Sequence, residues 1–251
     1  MKPALLLAVS LVVAVSQAAP AAAQTTANLL LVVNQSSPDS VRIGEHYARV
    51  RGVSQDQVLR ISTDGSADEI DRAVFDGQIQ APIAAWLRRH SAQDRILYIV
   101  LTRGIPLRIK GSLGRNGTVA SVDSELTLLY RRMTGQPVPA PGQLANPFYL
   151  GDAAVSQATR FNHRAFDIYL VTRLDGFTVD DVLRAVDRGS APVREGKIVL
   201  DQKGGLGGNG GDAWMKAAAD WLTANGFGSR VVLEGTGRPS TGERGVLGYY
   251  S

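Results

Sequence analysis

The chain has 251 residues, no cysteine and a formal net charge of +4 at pH 7. The lack of cysteine excludes disulfides and thiol catalysis, and the basic residues are too scattered for a nucleic-acid surface, so no nucleic-acid partner is expected. A hydrophobic fraction of 44% predicts a folded core rather than a disordered chain.

The first residues have the pattern of a secretory signal peptide. Lys2 precedes an apolar run at residues 4–15, and the alanines at 21–23 are the small residues that a signal peptidase recognises. The apolar run is too short to cross a bilayer as a helix. We therefore predict a leader over residues 1–23, a periplasmic or extracellular mature chain from Gln24, and no transmembrane segment after cleavage.

Strands and helices alternate along the mature chain. A continuous apolar run, typical of a strand buried on both faces of a parallel sheet, occurs at residues 29–33, and further strands are predicted at 58–62, 96–101, 168–171, 197–200, 231–233 and 246–250. The glycine-containing stretch from residue 104 predicts an irregular insertion over about 104–165, which begins with an excursion that has the pattern of a hairpin. Four prolines predict an extended surface segment at 135–147.

Helical spacing of apolar residues fills the intervals between the first strands. One helix follows Pro38 and ends at Gly52, where a glycine suits a helix C-terminus. A longer helical pattern covers residues 67–90, and Pro82 must kink or split it because proline lacks the N–H donor. A third helix is predicted over residues 121–132.

Two more helices are predicted towards the C-terminus. Thr178 and Asp181 have the spacing of a capping box at the start of a helix. Asp212 is expected to cap the next helix, since aspartate is a favoured N-cap residue. The inward face of that helix is expected to contain Trp214, Ala218 and Trp221.

This alternation predicts an α/β fold. We expect a single domain over residues 24–251, in which a three-layer, doubly wound and mostly parallel sheet has helices on both faces. The last strand, 246–250, has no following helix to cover it, so the sequence is expected to be C-terminally incomplete. Ligand sites in such a sheet lie beyond the carboxyl ends of the strands.

A glycine-rich stretch before the last helix fits the dinucleotide-binding pattern G-x-G-x-x-G. Gly205, Gly207 and Gly210 are its glycines, and Glu234 ends the next strand, where an acid could bind a ribose. The alternative is that this stretch is a flexible connection to the following helix, which Asp212 would cap. Because an exported protein meets little dinucleotide, we expect no cofactor and keep dinucleotide binding as an alternative.

Carboxylates at predicted strand ends could hold a cation or take part in acid–base chemistry. Asp175 and Asp201 are the candidate metal ligands, with Glu234 at a third strand end. The alternative is that such acids cap turns and helices. Of the three histidines only His163 has the surroundings of a general base, and a structural role is the preferred interpretation. No serine lies in a G-x-S-x-G elbow.

Several segments together carry a family resemblance. They are LLVVNQSS at 30–37, IGEHYAR at 43–49, LTRGIPLRI at 101–109, YLVTRLDG at 169–176 and GYYS at 248–251. The combination resembles an uncharacterised family of exported bacterial proteins from species with the exosortase and PEP-CTERM sorting system. The resemblance covers essentially the whole mature chain, and it implies a longer protein that continues beyond Ser251. It implies no established activity.

A more remote similarity is to the caspase and gingipain type of sheet. Those peptidases need a His-Gly after one strand and a cysteine after the next, whereas this chain has no cysteine and has GYYS at 248–251. The similarity implies a non-catalytic relative, or a piece that lacks its catalytic half.

We therefore expect an exported, non-catalytic α/β domain that binds a peptide or an envelope polymer at the strand ends. The candidate binding residues are Asn34, Ser37, Arg103, Arg173 and Asp175. Their alternative role is to tie loops together by hydrogen bonds. The alternative functions are a hydrolase that uses the strand-end carboxylates and dinucleotide binding at 205–210.

Overall fold

The computed structural model describes residues 24–138, 144–151, 153–204 and 210–251. The predicted leader, residues 1–23, lies outside the described residues. The chain divides into two compact units, Met1–Val182 and Leu183–Ser251. None of the helices in the described ranges is long and apolar enough to cross a membrane.

The first unit contains most of the regular elements. Its strands are β1 (Leu29–Asn34), β2 (Val58–Ile61), β3 (Glu69–Ile70), β4 (Tyr98–Thr102), β5 (Arg108–Ile109), β6 (Ala120–Ser121) and β7 (Leu170–Leu174). Its helices are α1 (Pro38–Arg51), α2 (Arg72–Val74), α3 (Ala81–Arg89), α4 (Val122–Thr127) and α5 (Leu129–Met133). Helix α6 (Val179–Arg188) begins in the first unit and ends in the second.

The main sheet of the first unit is parallel, with the strand order β2-β1-β4-β7. Every residue of β1 is buried, and alternate β1 side chains enter two separate apolar clusters. Leu30 and Val32 pack in the cluster that contains α3 and α4 residues, whereas Leu31 and Val33 pack in the cluster that contains Ala48 of α1. Helices therefore cover both faces of this sheet, and the predicted parallel α/β fold is confirmed.

The predicted excursion after β4 forms a small second sheet in the order β3-β5-β6. Strands β5 and β6 pair antiparallel, as expected of a hairpin, and β3 joins β5 in parallel. The predicted helix start at residue 67 is wrong, because Glu69–Ile70 forms β3 and helix begins at Arg72. A π-helical turn over Phe75–Gln80 precedes α3, which agrees with the disruption expected from the missing N–H of Pro82.

One predicted strand lies a few residues further along the chain. The apolar run at 168–171 predicted the strand, but β7 is Leu170–Leu174. Ile168 and Tyr169 are buried just before it. The first two residues of the run are buried without belonging to the strand, because a continuous apolar run predicts burial but not strand pairing.

The second unit is a parallel three-stranded sheet with one long helix. Its elements are β8 (Lys197–Asp201), α7 (Gly211–Leu222), β9 (Val231–Glu234) and β10 (Val246–Tyr250). The strand order is β10-β8-β9, and α7 lies against β8 and β9. Val199 and Leu200 of the central strand are buried, whereas four of the five residues of β10 are exposed.

The predicted inward face of α7 is wrong. Trp214 and Trp221 are 74% and 61% exposed, and Ala219 is the residue that α7 buries. Helical spacing shows that the two tryptophans share a face, but it does not say which face meets the sheet. The predicted cap is also wrong, because Gly210 holds the N-cap position and the Asp212 carboxylate accepts backbone N–H groups of the preceding loop.

Candidate functional site

The carboxyl ends of β1 and β4 lie at the point where the main sheet reverses its strand order. From β1 the chain crosses to β2 on one side, and from β2 it crosses back to β4 on the other side. In open α/β sheets a crevice that binds ligands is expected at such a reversal. A ligand site is therefore expected among the loops that follow β1, β2, β4 and β7.

Asn34, at the end of β1, is fully buried and ties three loops together. Its Nδ2 donates to the carbonyls of Thr63 at 3.0 Å and Gly104 at 2.7 Å. Its Oδ1 accepts the backbone N–H groups of Ser36 at 3.1 Å and Thr63 at 3.2 Å. These four bonds use the donors and acceptors of the amide, so the side chain holds the ends of β1, β2 and β4 together.

Ser37 occupies the N-cap of α1 and closes the space between β1 and β4. Its hydroxyl accepts the backbone N–H of Ser40 at 3.3 Å. Gly104, with φ of +85°, lies so close that a Cβ at that position would collide with the Ser37 side chain. The protein's own groups therefore fill the crevice at the strand-order reversal.

Arg103 and Asp175 meet at the same edge, at the ends of β4 and β7. The Arg103 guanidinium lies 3.6 Å from the Asp175 carboxylate and 3.7 Å from Asp39 in the first turn of α1. It also donates to the carbonyls of Gly176 and Phe177. The Arg103 side chain is 34% exposed, so its ion pairs are partly open to solvent.

Arg173 in β7 contacts the loop that leads into the small sheet. Its guanidinium pairs with Asp123 at 2.8 Å and donates to the carbonyls of Ile105 at 2.6 Å and Pro106 at 3.1 Å. The structure thus brings the five predicted binding residues to one edge of the main sheet. The bonds that they make are those of the loop-tying alternative, and their role in ligand binding stays a prediction.

Asp201 and Glu234 lie side by side at the ends of β8 and β9 in the second unit. The Tyr249 hydroxyl and the Ser240 N–H donate to the Asp201 carboxylate and hold the pKa of Asp201 below its ordinary value. Hydrogen bonds from Thr236 lower the pKa of Glu234, against the opposing effects of burial and of the Asp201 charge. Both acids are therefore ionised at neutral pH.

The two candidate metal ligands lie in different units and have different partners. Asp175 belongs to the first unit, where it contacts Arg103 and accepts the Gly176 N–H at 2.8 Å, and Asp201 belongs to the second. In the part of the chain that the structure describes, no three histidine, cysteine, aspartate or glutamate side chains form a group that could hold a metal ion.

The glycine-rich motif is only partly described. Gly205 and Gly207 lie outside the described residues. Gly210 has a φ of +103° and directly precedes α7, and the Glu234 carboxylate accepts the Thr236 N–H at 2.7 Å. The Asp212 carboxylate accepts the N–H groups of Lys203 and Gly204 at 2.8 and 3.0 Å. Dinucleotide binding stays a prediction.

His163 makes the contacts that a structural histidine would make, and its role stays a prediction. Its Nε2 lies 2.7 Å from the carbonyl oxygen of Ile96, and its Nδ1 lies 3.3 Å from that of Phe166. Its ring stacks on Tyr130 with centroids 3.9 Å apart. The imidazole therefore links the residues just before β4 to the segment before β7.

A hollow of about 630 Å³ lies beside the end of β2 and was not predicted. We call it the strand-end hollow; its polar lining is Ser36, Ser62, Thr63, Asp64, Glu69, Asp71, Gln78 and Lys110. The hydroxyls of Ser36 and Ser62 are 2.8 Å apart. The Thr63 Oγ1 is buried without a hydrogen-bond partner among the described residues, which a bound polar group or water would supply.

A larger cleft of about 1100 Å³ lies between the small sheet and helices α4 and α5. We call it the hairpin cleft; its charged lining is Arg72, Lys110, Glu125, Arg131 and Arg132. Glu125 lies between Arg72 at 3.0 Å and Arg132 at 2.5 Å. Lys110 lines both the cleft and the strand-end hollow, so the two depressions adjoin.

No sequence pattern predicted this cleft. Arg131 and Arg132 are adjacent in the chain, and Arg72 lies about 60 residues before them. The described elements bring them together because α4 and α5 pack beside the small sheet that contains Lys110. Comparison with known proteins adds no relative: no family model, curated protein or solved structure matches the chain.

Proposed function

We propose that this chain is an exported, non-catalytic binding protein that holds an extended peptide along the strand-end hollow and the hairpin cleft. One observation carries the proposal: the two depressions adjoin at Lys110 and differ in charge. An extended polar groove suits a chain molecule better than a compact metabolite.

The charge difference favours a peptide with separated charges. Asp64, Glu69 and Asp71 line the strand-end hollow, and three arginines with a single acid line the cleft apart from Lys110. A peptide with a cationic segment in the strand-end hollow and an anionic segment in the hairpin cleft would complement the charges of both. Because Asp71 and Arg72 are 68% and 40% exposed, the part of the binding that depends on such exposed charges should weaken as salt rises.

The site residues predicted from sequence have a supporting part in this proposal. Asn34 holds the loops that carry Ser36 and Thr63, both of which line the strand-end hollow. Arg173 holds the loop that leads from β4 into the small sheet. We expect these residues to position the groove rather than to contact the ligand.

The proposed export rests on the leader pattern of residues 1–23. The mature protein recovered from the periplasm or medium should begin near Gln24, which mass spectrometry of the intact chain checks. A full-length chain retained in the cytosol would contradict this part of the proposal.

The binding proposal can be tested by fluorescence anisotropy with labelled synthetic peptides. We expect an eight-residue peptide with lysines in one half and glutamates in the other to bind more tightly than one in which they alternate. Lys110→Glu should weaken binding about fivefold, equivalent to about 1 kcal/mol. Lys110 is 53% exposed and pairs with Asp71, so the substitution should leave the fold intact.

The matched control is Lys197→Glu in the second unit. Lys197 is 49% exposed and pairs with Glu243, so the two lysines resemble each other in exposure and in having one acidic partner. The proposal would be refuted if the two peptides bound equally tightly, or if Lys110→Glu left the affinity unchanged. Tighter binding of an oligogalacturonate than of either peptide would favour the envelope-polymer alternative.

A further inference from the structure

The strand-end hollow contains a buried hydroxyl that has no hydrogen-bond partner. Thr63 is 4% exposed, and its Oγ1 has no partner among the described residues. The backbone N–H and carbonyl of Thr63 both bond the Asn34 side chain, which fixes the residue in place. A buried hydroxyl without a partner is costly. Because Thr63 lines the hollow, a group bound there can supply the missing bond.

Other hydroxyl oxygens lie in the same lining. The hydroxyls of Ser36 and Ser62 are 2.8 Å apart, and both residues are exposed. One of the two hydroxyls donates to the other. Since a hydroxyl oxygen has two acceptor positions, each still has one that this bond does not use. The hollow therefore suits a ligand that donates several hydrogen bonds.

The acids of the hollow differ in whether a basic side chain neutralises them. Glu69 pairs with Arg108 at 3.0 Å. Asp71 pairs with Lys110 at 3.2 Å. Asp64 forms no such ion pair with any residue that the structure describes. The unneutralised charge at Asp64 favours a ligand group that is a cation as well as a donor.

The existing bonds of Asp64 favour an ammonium group over a guanidinium group. Its Oδ1 accepts the N–H and the hydroxyl of Ser66 at 2.9 and 2.7 Å, and these bonds hold the pKa of Asp64 below its ordinary value. A guanidinium pairs best with both oxygens of a carboxylate at once, but one of these oxygens is already occupied. An ammonium is compact and has three donors, which suit one carboxylate oxygen and two hydroxyls.

We propose that the strand-end hollow binds the ammonium group of a lysine side chain. Its acceptors are the Asp64 carboxylate, the Thr63 hydroxyl and a hydroxyl of the pair Ser36 and Ser62. The inference rests on the proposed peptide binding and adds to it the chemical group that the hollow selects. Lysine rather than arginine is then the residue expected in the cationic half of the peptide.

The test compares three peptides by fluorescence anisotropy, each acetylated at its N-terminus and labelled at its C-terminus. All contain glutamates in one half, and the other half contains lysine, arginine or trimethyllysine. The lysine peptide should bind about fivefold more tightly than the arginine peptide. It should bind about tenfold more tightly than the trimethyllysine peptide, which keeps the charge but has no donor.

Thr63→Val separates a binding role from a structural one, because it removes the hydroxyl and keeps the shape of the side chain. It should weaken the lysine peptide about fivefold and leave the trimethyllysine peptide unchanged. It should not lower the urea midpoint, since the hydroxyl has no bond to lose. The contrasting variant is Thr102→Val, whose buried hydroxyl bonds Ser40 and the carbonyl of Val32. That variant should lower the urea midpoint and keep the preference for lysine.

The charge of Asp64 is tested by Asp64→Asn, which should weaken the lysine peptide about fivefold. The amide oxygen of asparagine can still accept the Ser66 bonds, so the loop should keep its structure. The matched control is Asp56→Asn. Asp56 is also exposed but is not part of the lining of the hollow, so binding should not change.

Two outcomes of the peptide comparison would overturn this inference and leave the proposed peptide binding in place. The first is equal binding of the lysine and arginine peptides, with neither affected by Thr63→Val. The second is that an arginine peptide with a free N-terminus binds as tightly as the lysine peptide, which would assign the hollow to the α-ammonium group.

If no peptide binds, the proposed function fails, and NMR titration with Nα-acetyl-lysine methylamide decides the present inference separately. Saturable shifts of the Ser62 and Asp64 amide signals that are lost in Thr63→Val would support it. Equal shifts with the arginine analogue, or no shifts at all, would overturn it.

Discussion

The two compact units are both built from parallel strands and helices, but they bury their strands very differently. Every residue of β1 in the first unit is buried between two apolar clusters. In the second unit β10 exposes Val246, Leu247, Tyr249 and Tyr250. Both strands are apolar in sequence, so the difference comes from the layers that cover them. Apolar composition predicts a strand, but the helices packed on its faces decide its burial.

The largest expected effect contrasts two leucines in the two units. Leu101→Ala in β4 removes a fully buried side chain and should lower the free energy of unfolding by about 3 kcal/mol, because it leaves a cavity in the core. Leu247→Ala in β10, where the side chain is 45% exposed, should lower it by less than about 1 kcal/mol. Urea denaturation measures both.

If Leu101→Ala and Leu247→Ala lowered the free energy of unfolding by similar amounts, the proposed difference in burial between the two units would be contradicted. Such an outcome would mean that β10 is as well covered as β4 in solution. Hydrogen exchange of the backbone amides of β4 and β10 would then show whether the two strands are equally protected from solvent.

A second prediction concerns buried polar bonds. Asn34→Ala removes a buried amide with four hydrogen bonds and should lower the free energy of unfolding by about 2–3 kcal/mol, since its former partners lose their bonds in the interior. Asn225→Ala in the second unit removes a solvent-exposed bond to the carbonyl of Trp221 and should have an effect below about 1 kcal/mol.

Urea denaturation again provides the measurement for the asparagines. A small loss for Asn34→Ala would show that the loops after β1, β2 and β4 are held mainly by other contacts. The proposed peptide binding should weaken in Asn34→Ala even at temperatures where the variant is folded, because Ser36 and Thr63 would lose their anchor.

The smallest effect is a pH dependence in the second unit. The Tyr249 hydroxyl and the Ser240 N–H hold the pKa of Asp201 below its ordinary value of 3.8. A carboxyl group whose pKa is lower in the folded chain binds fewer protons there than in the unfolded chain. Its contribution to stability is therefore present above pH 3.8 and is lost as the pH falls through the folded-state pKa.

Tyr249→Phe should raise the pKa of Asp201 towards its ordinary value and reduce this acid sensitivity. The pKa is measured by NMR titration of the Asp201 carboxyl carbon, and stability by urea denaturation between pH 7 and pH 3. Tyr250→Phe is the matched control, because it is also an exposed tyrosine of β10. An unchanged Asp201 titration in Tyr249→Phe would contradict the assigned bond.

The position of the candidate site residues could be predicted from the sequence, but their contacts could not. Parallel strands end at a common edge, so Asn34, Arg103 and Asp175 could be placed together from the order of the strands alone. Their hydrogen bonds could not be predicted, because the partners of Asn34 follow two other strands and depend on how closely the loops approach. The hairpin cleft was missed for a related reason, since Arg72 and Arg131 come from separate elements.

The amino-acid sequence by itself determined the alternation of strands and helices and the parallel α/β class, because apolar periodicity is a local property of the chain. It also identified the capping box at Thr178 and Asp181, which the structure contains. Only the tertiary structure decided which face of α7 is inward. A helix with apolar residues on more than one face can pack by either, and the packing of Ala219 against the sheet turned Trp214 and Trp221 to the solvent.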